Sequence, residues 1–239
     1  MAKTWKVDAE RLLLSAESPS VLTTAMLHTL ATTGRAAPPS SATVGRWVTD
    51  MAGTGKLREV IKGVYLNHLG HRDVSPAAAA HWVRHRSVVS LSWVLEQSHI
   101  TNNFGDTITC VIPTEAGWPN PRVGDRHTSA GTFIFFAMPA HLVDERAGKF
   151  EDIRDPRFDY PRTTPEKALL DWIYLGASSR SRLTRPPLDL DLGALNQRRL
   201  SRLAKTMNLT VPLKAWISQY EAYQSDVDVR SNISTRMRL

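Results

Sequence analysis

The sequence predicts an α+β protein of two domains. Helices and a β-hairpin form the N-terminal domain, and a small sheet with several helices forms a mixed α/β C-terminal domain. Apolar residues recur at helical spacing before residue 53 and after residue 163, whereas runs rich in β-branched and aromatic residues between them are typical of strands. Because 239 residues can bury two cores, we place the domains at residues 1–70 and 71–239.

Two short helices open the chain. The segment Asp8–Ser15 carries three leucines, and the pair Thr23-Thr24 can cap a second helix, Ala25–Ala31. The loop that follows, Thr32–Pro39, is longer than the roughly three or four residues that connect an ordinary helix-turn-helix. We therefore predict a three-helix core with an extended second connection.

The third helix begins after Ser40 and carries the pattern from which a function can be argued. Its apolar residues have the spacing of one buried face: Val44, Trp47, Val48 and Met51. Since successive residues lie about 100° apart, a second set falls on the opposite face. That set comprises Ala42, Arg46 and Thr49, flanked by Thr43 and Asp50.

A β-hairpin with a basic tip follows this helix. The helix ends at Gly53, and the runs Leu57–Ile61 and Val64–Leu66 meet at Lys62-Gly63. A helix followed by a basic hairpin is the second half of a winged helix-turn-helix, whose helix enters the DNA major groove while the hairpin follows the backbone. The alternative is an ordinary helix and hairpin in another α+β domain.

The winged-helix interpretation assigns DNA contacts to particular residues. Base edges would be contacted by Thr43, Arg46 and Thr49. DNA phosphates would be contacted by Thr23, Thr24, Ser41, Lys56, Arg58 and Lys62. A secondary basic surface in the C-terminal domain would comprise Arg198, Arg202 and Lys205.

Positive charge is concentrated at the two ends of the chain. The formal net charge is +7; residues 1–70 hold 8 basic and 5 acidic side chains, residues 71–175 hold 11 and 13, and residues 176–239 hold 11 and 5. This distribution favours an anionic partner such as nucleic acid at both ends, with solvated surface charge as the alternative.

The C-terminal domain is predicted to begin with two short helices, Pro76–Val83 and Leu91–Gln97. Its clearest strands are Thr107–Ile112 and Thr132–Met138, which we expect to pair. The segment between them, Gly117–Gly131, is predicted to be a mobile surface loop. A third strand is expected near residues 150–153.

The segment Thr163–Leu175 gives the strongest helix signal in the chain, because Thr164 can cap it and Pro165 suits its first turn. Its charged residues are interpreted as solvent-facing: Glu166, Lys167 and Asp171. Amphipathic helices at 192–207 and 211–223 follow, and the tail at 225–239 is expected to be loosely ordered.

Neither a metal nor a cofactor is predicted. The single cysteine, Cys110, cannot form an internal disulfide or a thiolate zinc site. Four histidines lie close in sequence, and His81 and His85 have the spacing of a chelating pair, yet no cysteine or carboxylate cluster adjoins them. No apolar run approaches the ~18 residues of a membrane span, and no signal peptide is recognisable, so we expect a cytoplasmic protein without a membrane partner.

Several segments together resemble the AbiEi-type antitoxins of bacterial type IV toxin–antitoxin, or abortive infection, systems. The resemblance runs from about Val21 to Leu175 and is carried by VLTTAML, the T-V-x-R-x-V helix, the KGVYLN hairpin, SPAAAA, SLSWVL and above all TTPEKALLDWIYL. Two segments depart from the family pattern, the long loop Thr32–Pro39 and the DMAGTG stretch before the hairpin.

The resemblance implies a winged-helix DNA-binding domain joined to a mixed α/β domain needed for antitoxicity. Such a protein represses its own operon by binding operator DNA and acts in phage defence. Its functional partner is a nucleotidyltransferase-like toxin, which is neutralised without a stable complex.

Two other hypotheses stay open at this stage. One is an enzyme that modifies nucleic acid or the toxin and uses the basic ends as a substrate track, although the sequence has no phosphate-cradling glycine loop and no nucleophile paired with a base. We therefore predict that the protein is not an enzyme. The other is an antitoxin that binds only protein and whose hairpin is structural.

Overall fold

The computed structural model describes residues 4–71, 73–101 and 105–236, and within these ranges the chain forms nine α-helices and seven strands in two small sheets. The α+β class is confirmed. The chain divides into two compact units, one of residues 1–86 with 125–133 and one of residues 87–124 with 134–239.

Three helices and a three-stranded antiparallel sheet make up most of the first unit. Its elements are α1 (Thr4–Leu13), β1 (Val21–Thr23), α2 (Thr24–Thr32), α3 (Ser41–Gly53), β2 (Leu57–Ile61) and β3 (Val64–Asn67). The strand order is β1-β3-β2. Helices α2 and α3 and the hairpin lie close to their predicted bounds, whereas α1 begins at Thr4 and ends at Leu13 and was predicted at Asp8–Ser15. Strand β1 was not predicted, because three residues are too few to show an alternating pattern.

Side-chain caps begin two of these helices. The Thr23 hydroxyl accepts from the backbone N–H of Met26 at the start of α2, and the Ser40 hydroxyl accepts from that of Thr43 at the start of α3. Each cap satisfies one of the backbone donors that a helix leaves unpaired at its first turn. The caps fix where α3 begins and therefore which of its residues face outward.

Trp47 is the anchor of the first unit. Its side chain is 2% exposed and meets the Trp5 ring edge to face, with the ring centroids 5.4 Å apart. Its indole N–H lies 3.5 Å from one carboxylate oxygen of Glu10, whose other oxygen is 2.7 Å from the Lys56 ammonium. One carboxylate thus links α1, α3 and the start of the hairpin.

The long connection between α2 and α3 is tied to α1. The Arg35 guanidinium donates to the Ala31 carbonyl at 2.9 Å and pairs with the Asp8 carboxylate at 3.3 Å. This arginine therefore has an internal role, which the sequence did not indicate. The extended loop is held in place by these contacts despite its length.

The first unit extends beyond residue 70, where the sequence placed a boundary. A 3₁₀ turn, Pro76–Ala79, is followed by α4 (Ala80–Val83), and the alanines at positions 77–80 are at most 3% exposed. Because that turn packs on β3, its alanines are buried against the N-terminal sheet. The SPAAAA segment therefore belongs to this unit.

The second unit joins a small sheet to the C-terminal helices. Its elements are β4 (Val88–Val89), α5 (Ser92–Gln97), β5 (Thr107–Thr114), part of β7 (Gly131–Pro139), α6 (Phe150–Ile153), α7 (Pro165–Ala177), α8 (Gln197–Thr206) and α9 (Thr210–Arg236). Strand β6 (Gly124–Thr128) precedes β7, and the order in the sheet is β4-β5-β7-β6. The expected pairing of β5 with β7 and the Thr164 cap of α7 are confirmed.

Two local predictions for the C-terminal part were wrong. Residues 150–153 form α6 and not the expected strand. A segment of four residues is too short for its apolar pattern to distinguish a strand from a helix. The expected loop Gly117–Gly131 contains β6, whose central residues are charged or polar and exposed, as suits an edge strand. Helix α9 ends at Arg236, and the loose order expected of the tail at 225–239 stays a prediction, with residues 237–239 outside the described residues.

The charged residues of α7 are buried, so the prediction that they face solvent was wrong. Glu166, Lys167 and Asp171 are 4%, 1% and 0% exposed, although charged residues on an amphipathic helix normally face water. The Lys167 ammonium pairs with Asp171 Oδ1, and the Ser90 hydroxyl donates to Asp171 Oδ2 at 2.7 Å. Burial lowers the pKa of Lys167 and raises the pKa of Asp171, while their mutual contact opposes both shifts.

Replacing Trp47 with alanine should lower the free energy of unfolding of the first unit by about 3–5 kcal/mol, because it leaves a large cavity among α1, α3 and the hairpin. Arg46→Ala, one residue away on the exposed face, should stay within about 0.5 kcal/mol of the parent. Urea denaturation measures both. Similar losses for the two variants would contradict this assignment of the buried and exposed faces.

Removing one partner of the ion pair in α7 should lower the free energy of unfolding far more than replacing both partners with apolar residues. Asp171→Leu or Lys167→Met alone strands a buried partner and should cost about 3–5 kcal/mol, whereas the double variant Lys167→Met/Asp171→Leu should lose much less. Thermal and urea denaturation of the three variants close the mutant cycle. Additive losses would show that the two side chains do not depend on each other.

Candidate nucleic-acid interface

The face of α3 opposite Trp47 is exposed. Ala42, Gly45, Arg46 and Thr49 all lie on it, spaced three or four residues apart, while the apolar residues of the helix are buried. Both faces were predicted from the sequence, and both predictions are confirmed. The exposed face combines one long cationic side chain with three small residues, so a partner can approach the helix backbone closely.

The two threonines predicted to contact bases differ in their surroundings. Thr43 is half-buried, and its hydroxyl lies 2.9 Å from the Ser40 hydroxyl within the helix cap. Thr49 is exposed, and its hydroxyl donates to the Gly45 carbonyl at 3.0 Å. Because that bond uses the proton, Thr49 offers a methyl group and an acceptor oxygen to a partner.

The hydroxyls predicted to contact phosphates lie at helix starts. The Thr24 N–H and hydroxyl both donate to the Gly63 carbonyl, at 2.9 and 3.4 Å, and so join α2 to the hairpin tip. The Ser41 hydroxyl lies 3.1 Å from His28 Nε2, which joins α2 to α3. Together with the Thr23 cap, these contacts give each hydroxyl a structural role in the first unit.

The three cations of the hairpin are not equivalent. Lys56 pairs with Glu10 and lowers the pKa of that carboxyl group, chiefly through the hydrogen bond between them. Arg58 Nη2 donates to the Ser129 carbonyl at 3.3 Å. Lys62 is exposed at the tip, beside Gly63, whose φ of +80° suits a glycine in a tight turn. Of the three, Lys62 projects furthest from the internal contacts of the unit.

The basic stripe of α8 is partly neutralised. Arg198 and Lys205 are exposed, but both Arg202 guanidinium nitrogens Nε and Nη2 bind the Asp152 carboxylate, at 2.8 and 2.5 Å. This pairing is the main cause that lowers the pKa of Asp152. The interaction holds α8 to α6, so Arg202 stabilises the second unit.

Sequence reasoning missed the turn between β6 and β7. The Ser129 hydroxyl donates to the Glu59 carbonyl at 2.5 Å and lies 3.3 Å from the Val60 carbonyl, so the turn is bonded to β2. Beside this contact lies an open groove of about 400 Å³, lined by residues 59–62 and 126–129 of the first unit. No local signal could have revealed it, because the partners are about 70 positions apart in the chain.

No family model and no curated protein matches the chain. Among solved structures it is similar to the RV2827C protein from Mycobacterium tuberculosis, with 17% identity, coverage of 84% of this chain and 71% of that one, and a TM-score of 0.42. At that TM-score the likeness carries no argument about fold or function.

His71, His81 and His85 have local partners, and the cysteine is buried. His81 and His85 meet edge to face with ring centroids 5.0 Å apart, and His71 Nε2 lies 2.6 Å from the Ser18 carbonyl. In residues 4–71, 73–101 and 105–236 no group of three or more potential ligands could hold a metal ion. Cys110 is fully buried, which raises the pKa of its thiol.

No helix in the described part of the chain is long and apolar enough to span a membrane.

Proposed function

We propose that the first unit is a winged-helix domain that binds duplex DNA, with α3 in the major groove and the β2–β3 hairpin as the wing. The observation that carries the proposal is the exposed face of α3, where Arg46 and Thr49 lie opposite the buried Trp47. Helix α2, the extended connection, α3 and the hairpin follow one another in the order that a winged helix-turn-helix requires.

The chemistry of this face suits the edges of base pairs. An arginine can donate two parallel hydrogen bonds to guanine O6 and N7, and a threonine methyl can pack on the methyl group of thymine. Gly45 lies between them in sequence, and a Cβ added there would meet nothing within 4 Å. A helix-interior glycine costs roughly 1 kcal/mol relative to alanine, so its presence without an internal packing reason supports close approach of a partner.

The antitoxin role is the second part of the proposal. It draws its support from the resemblance of segments between Val21 and Leu175 to AbiEi-type antitoxins. We propose that DNA binding represses the protein's own operon, and that the full chain counteracts a nucleotidyltransferase-like toxin without forming a stable complex and without a cofactor.

An enzymatic function has less support. The most conspicuous cluster of titratable side chains, Lys167 with Asp171, is at most 1% exposed, so a substrate does not reach it without opening the unit. A general acid or base must come within hydrogen-bonding distance of its substrate. We therefore favour a binding function.

Arg46→Ala should weaken binding to the duplex upstream of the protein's own gene by about 1–3 kcal/mol and relax sequence preference, because a base contact is lost. Lys62→Ala should weaken all duplexes alike and reduce the slope of log K against log salt by about one, because a phosphate contact is lost. Fluorescence anisotropy over a salt series measures both effects. Lys214→Ala, an exposed lysine of α9, is the control and should change neither.

The two variants also separate the alternatives. Equal binding by Arg46→Ala and the parent would refute the assignment of α3 as the recognition helix. Absence of upstream DNA binding by the parent protein would instead favour an antitoxin that contacts only protein.

Repression and antitoxicity should separate in cells. Arg46→Ala should derepress a reporter driven by the protein's own promoter while still rescuing growth when it is expressed with the neighbouring toxin, because α3 serves only the DNA. The measurements are reporter activity and colony growth. Failure of the parent to rescue growth would contradict the antitoxin part of the proposal and leave the DNA-binding part in place.

A further inference from the structure

The groove beside the wing is a fixed feature of the first unit. One wall is residues 59–62 of the hairpin and the other is residues 126–129, from the end of β6 into the following turn. The Ser129 hydroxyl donates to the Glu59 carbonyl and lies 3.3 Å from the Val60 carbonyl, and Arg58 Nη2 donates back to the Ser129 carbonyl. Four polar groups are thereby engaged across the two walls.

These bonds also protect a sheet edge. Strand β2 lies at the edge of the β1-β3-β2 sheet, so its outer carbonyls have no neighbouring strand. The Ser129 hydroxyl donates to the Glu59 carbonyl, which covers part of the edge and sets the distance between the walls. Residues 125–128 can therefore present their side chains in a constant position next to the wing.

Two cations and one carboxylate, that of Glu59, line the groove. Lys62 and Arg126 are exposed lining residues, one on each wall. The carboxylate of Glu59 accepts from the Gly63 N–H at 3.1 Å, which uses part of its capacity. Asp125 adjoins Arg126 in β6, and side chains of adjacent strand residues project to opposite faces.

His127 adds a further polar group to the same wall. Its Nδ1 lies 3.0 Å from the Thr132 hydroxyl, which orients the ring and leaves Nε2 for a partner. Because His127 follows Arg126 in β6, the two side chains project to opposite faces of the strand. The charged pair that faces a ligand across the groove is therefore Arg126 with Lys62, and two cations match the oxygens of a phosphodiester better than an apolar ligand.

We infer that this groove is a second DNA-contacting element, which binds the sugar–phosphate backbone of the duplex beyond the wing. Arg126 extends the contact that Lys62 begins, and Ser129 is a positioning residue that holds its wall in place. The inference rests on the proposed winged-helix function, because it needs the wing to lie along DNA. It assigns a DNA contact to a segment about 60 residues beyond the wing in the chain.

The test is the salt dependence of duplex binding by Arg126→Ala in the full chain. Loss of one phosphate contact should weaken binding roughly fivefold at about 0.15 M salt and reduce the slope of log K against log salt by about one. Arg122→Ala removes an exposed arginine four residues earlier that does not line the groove, and should match the parent. Circular dichroism and thermal unfolding should be the same for all three proteins.

Two further measurements locate the contact. On a duplex shortened by about one helical turn at each end, the parent and Arg126→Ala should bind equally, because the shorter duplex lacks the phosphates that the groove contacts. Ser129→Ala should lose part of the same affinity, and adding it to Arg126→Ala should weaken binding no further, since the serine acts through the arginine.

The outcomes distinguish failure of the groove contact from failure of the proposed winged-helix function. If Arg46→Ala weakens binding and Arg126→Ala leaves both affinity and salt slope unchanged, the groove is not a DNA contact and the winged-helix function stands. If Arg122→Ala weakens binding as much as Arg126→Ala, the effect is one of net charge and the inference fails. If the parent binds no duplex, both fail.

Discussion

The burial of Trp47 is the constraint on which the first unit depends. Its ring is enclosed by α1 and packs on Trp5, and its indole N–H is directed to Glu10. Because that carboxylate also binds Lys56, the rotation of α3 about its own axis is coupled to the position of the hairpin. An exposed Arg46 is the direct result, since adjacent helix residues point about 100° apart.

The second unit relies on buried charge. Within α7, Asp171 binds Lys167 and also accepts from the Ser90 hydroxyl. The Asp152 carboxylate of α6 binds the Arg202 guanidinium of α8. Such pairs contribute little net stability compared with apolar packing, but each partner is costly to lose. The TPEKALLD segment, which carries the strongest part of the resemblance to AbiEi-type antitoxins, therefore lies largely in the interior of the second unit.

The sequence predicted the features that depend only on residues within one helix or one hairpin. The apolar residues of α3 reveal its buried face, and Lys62-Gly63 reveals a turn, because both patterns depend on residues a few positions apart. The Ser129 contact with Glu59 could not be predicted, since it joins positions 70 apart in the chain. Lys167 and Asp171 were misjudged because charged residues on a helix are normally solvated, and only tertiary packing decides otherwise.

The central claim, that the face around Arg46 enters a DNA groove, is tested most directly by cleavage from a tethered iron chelate. Cys110 is fully buried, so Thr49→Cys provides the one accessible thiol among the described residues, and Lys214→Cys provides a control. The account predicts that the label at position 49 cuts upstream duplex DNA within a few base pairs of one position, while the label at position 214 does not. Cleavage from position 49 that is absent, or as diffuse as the control, would contradict it.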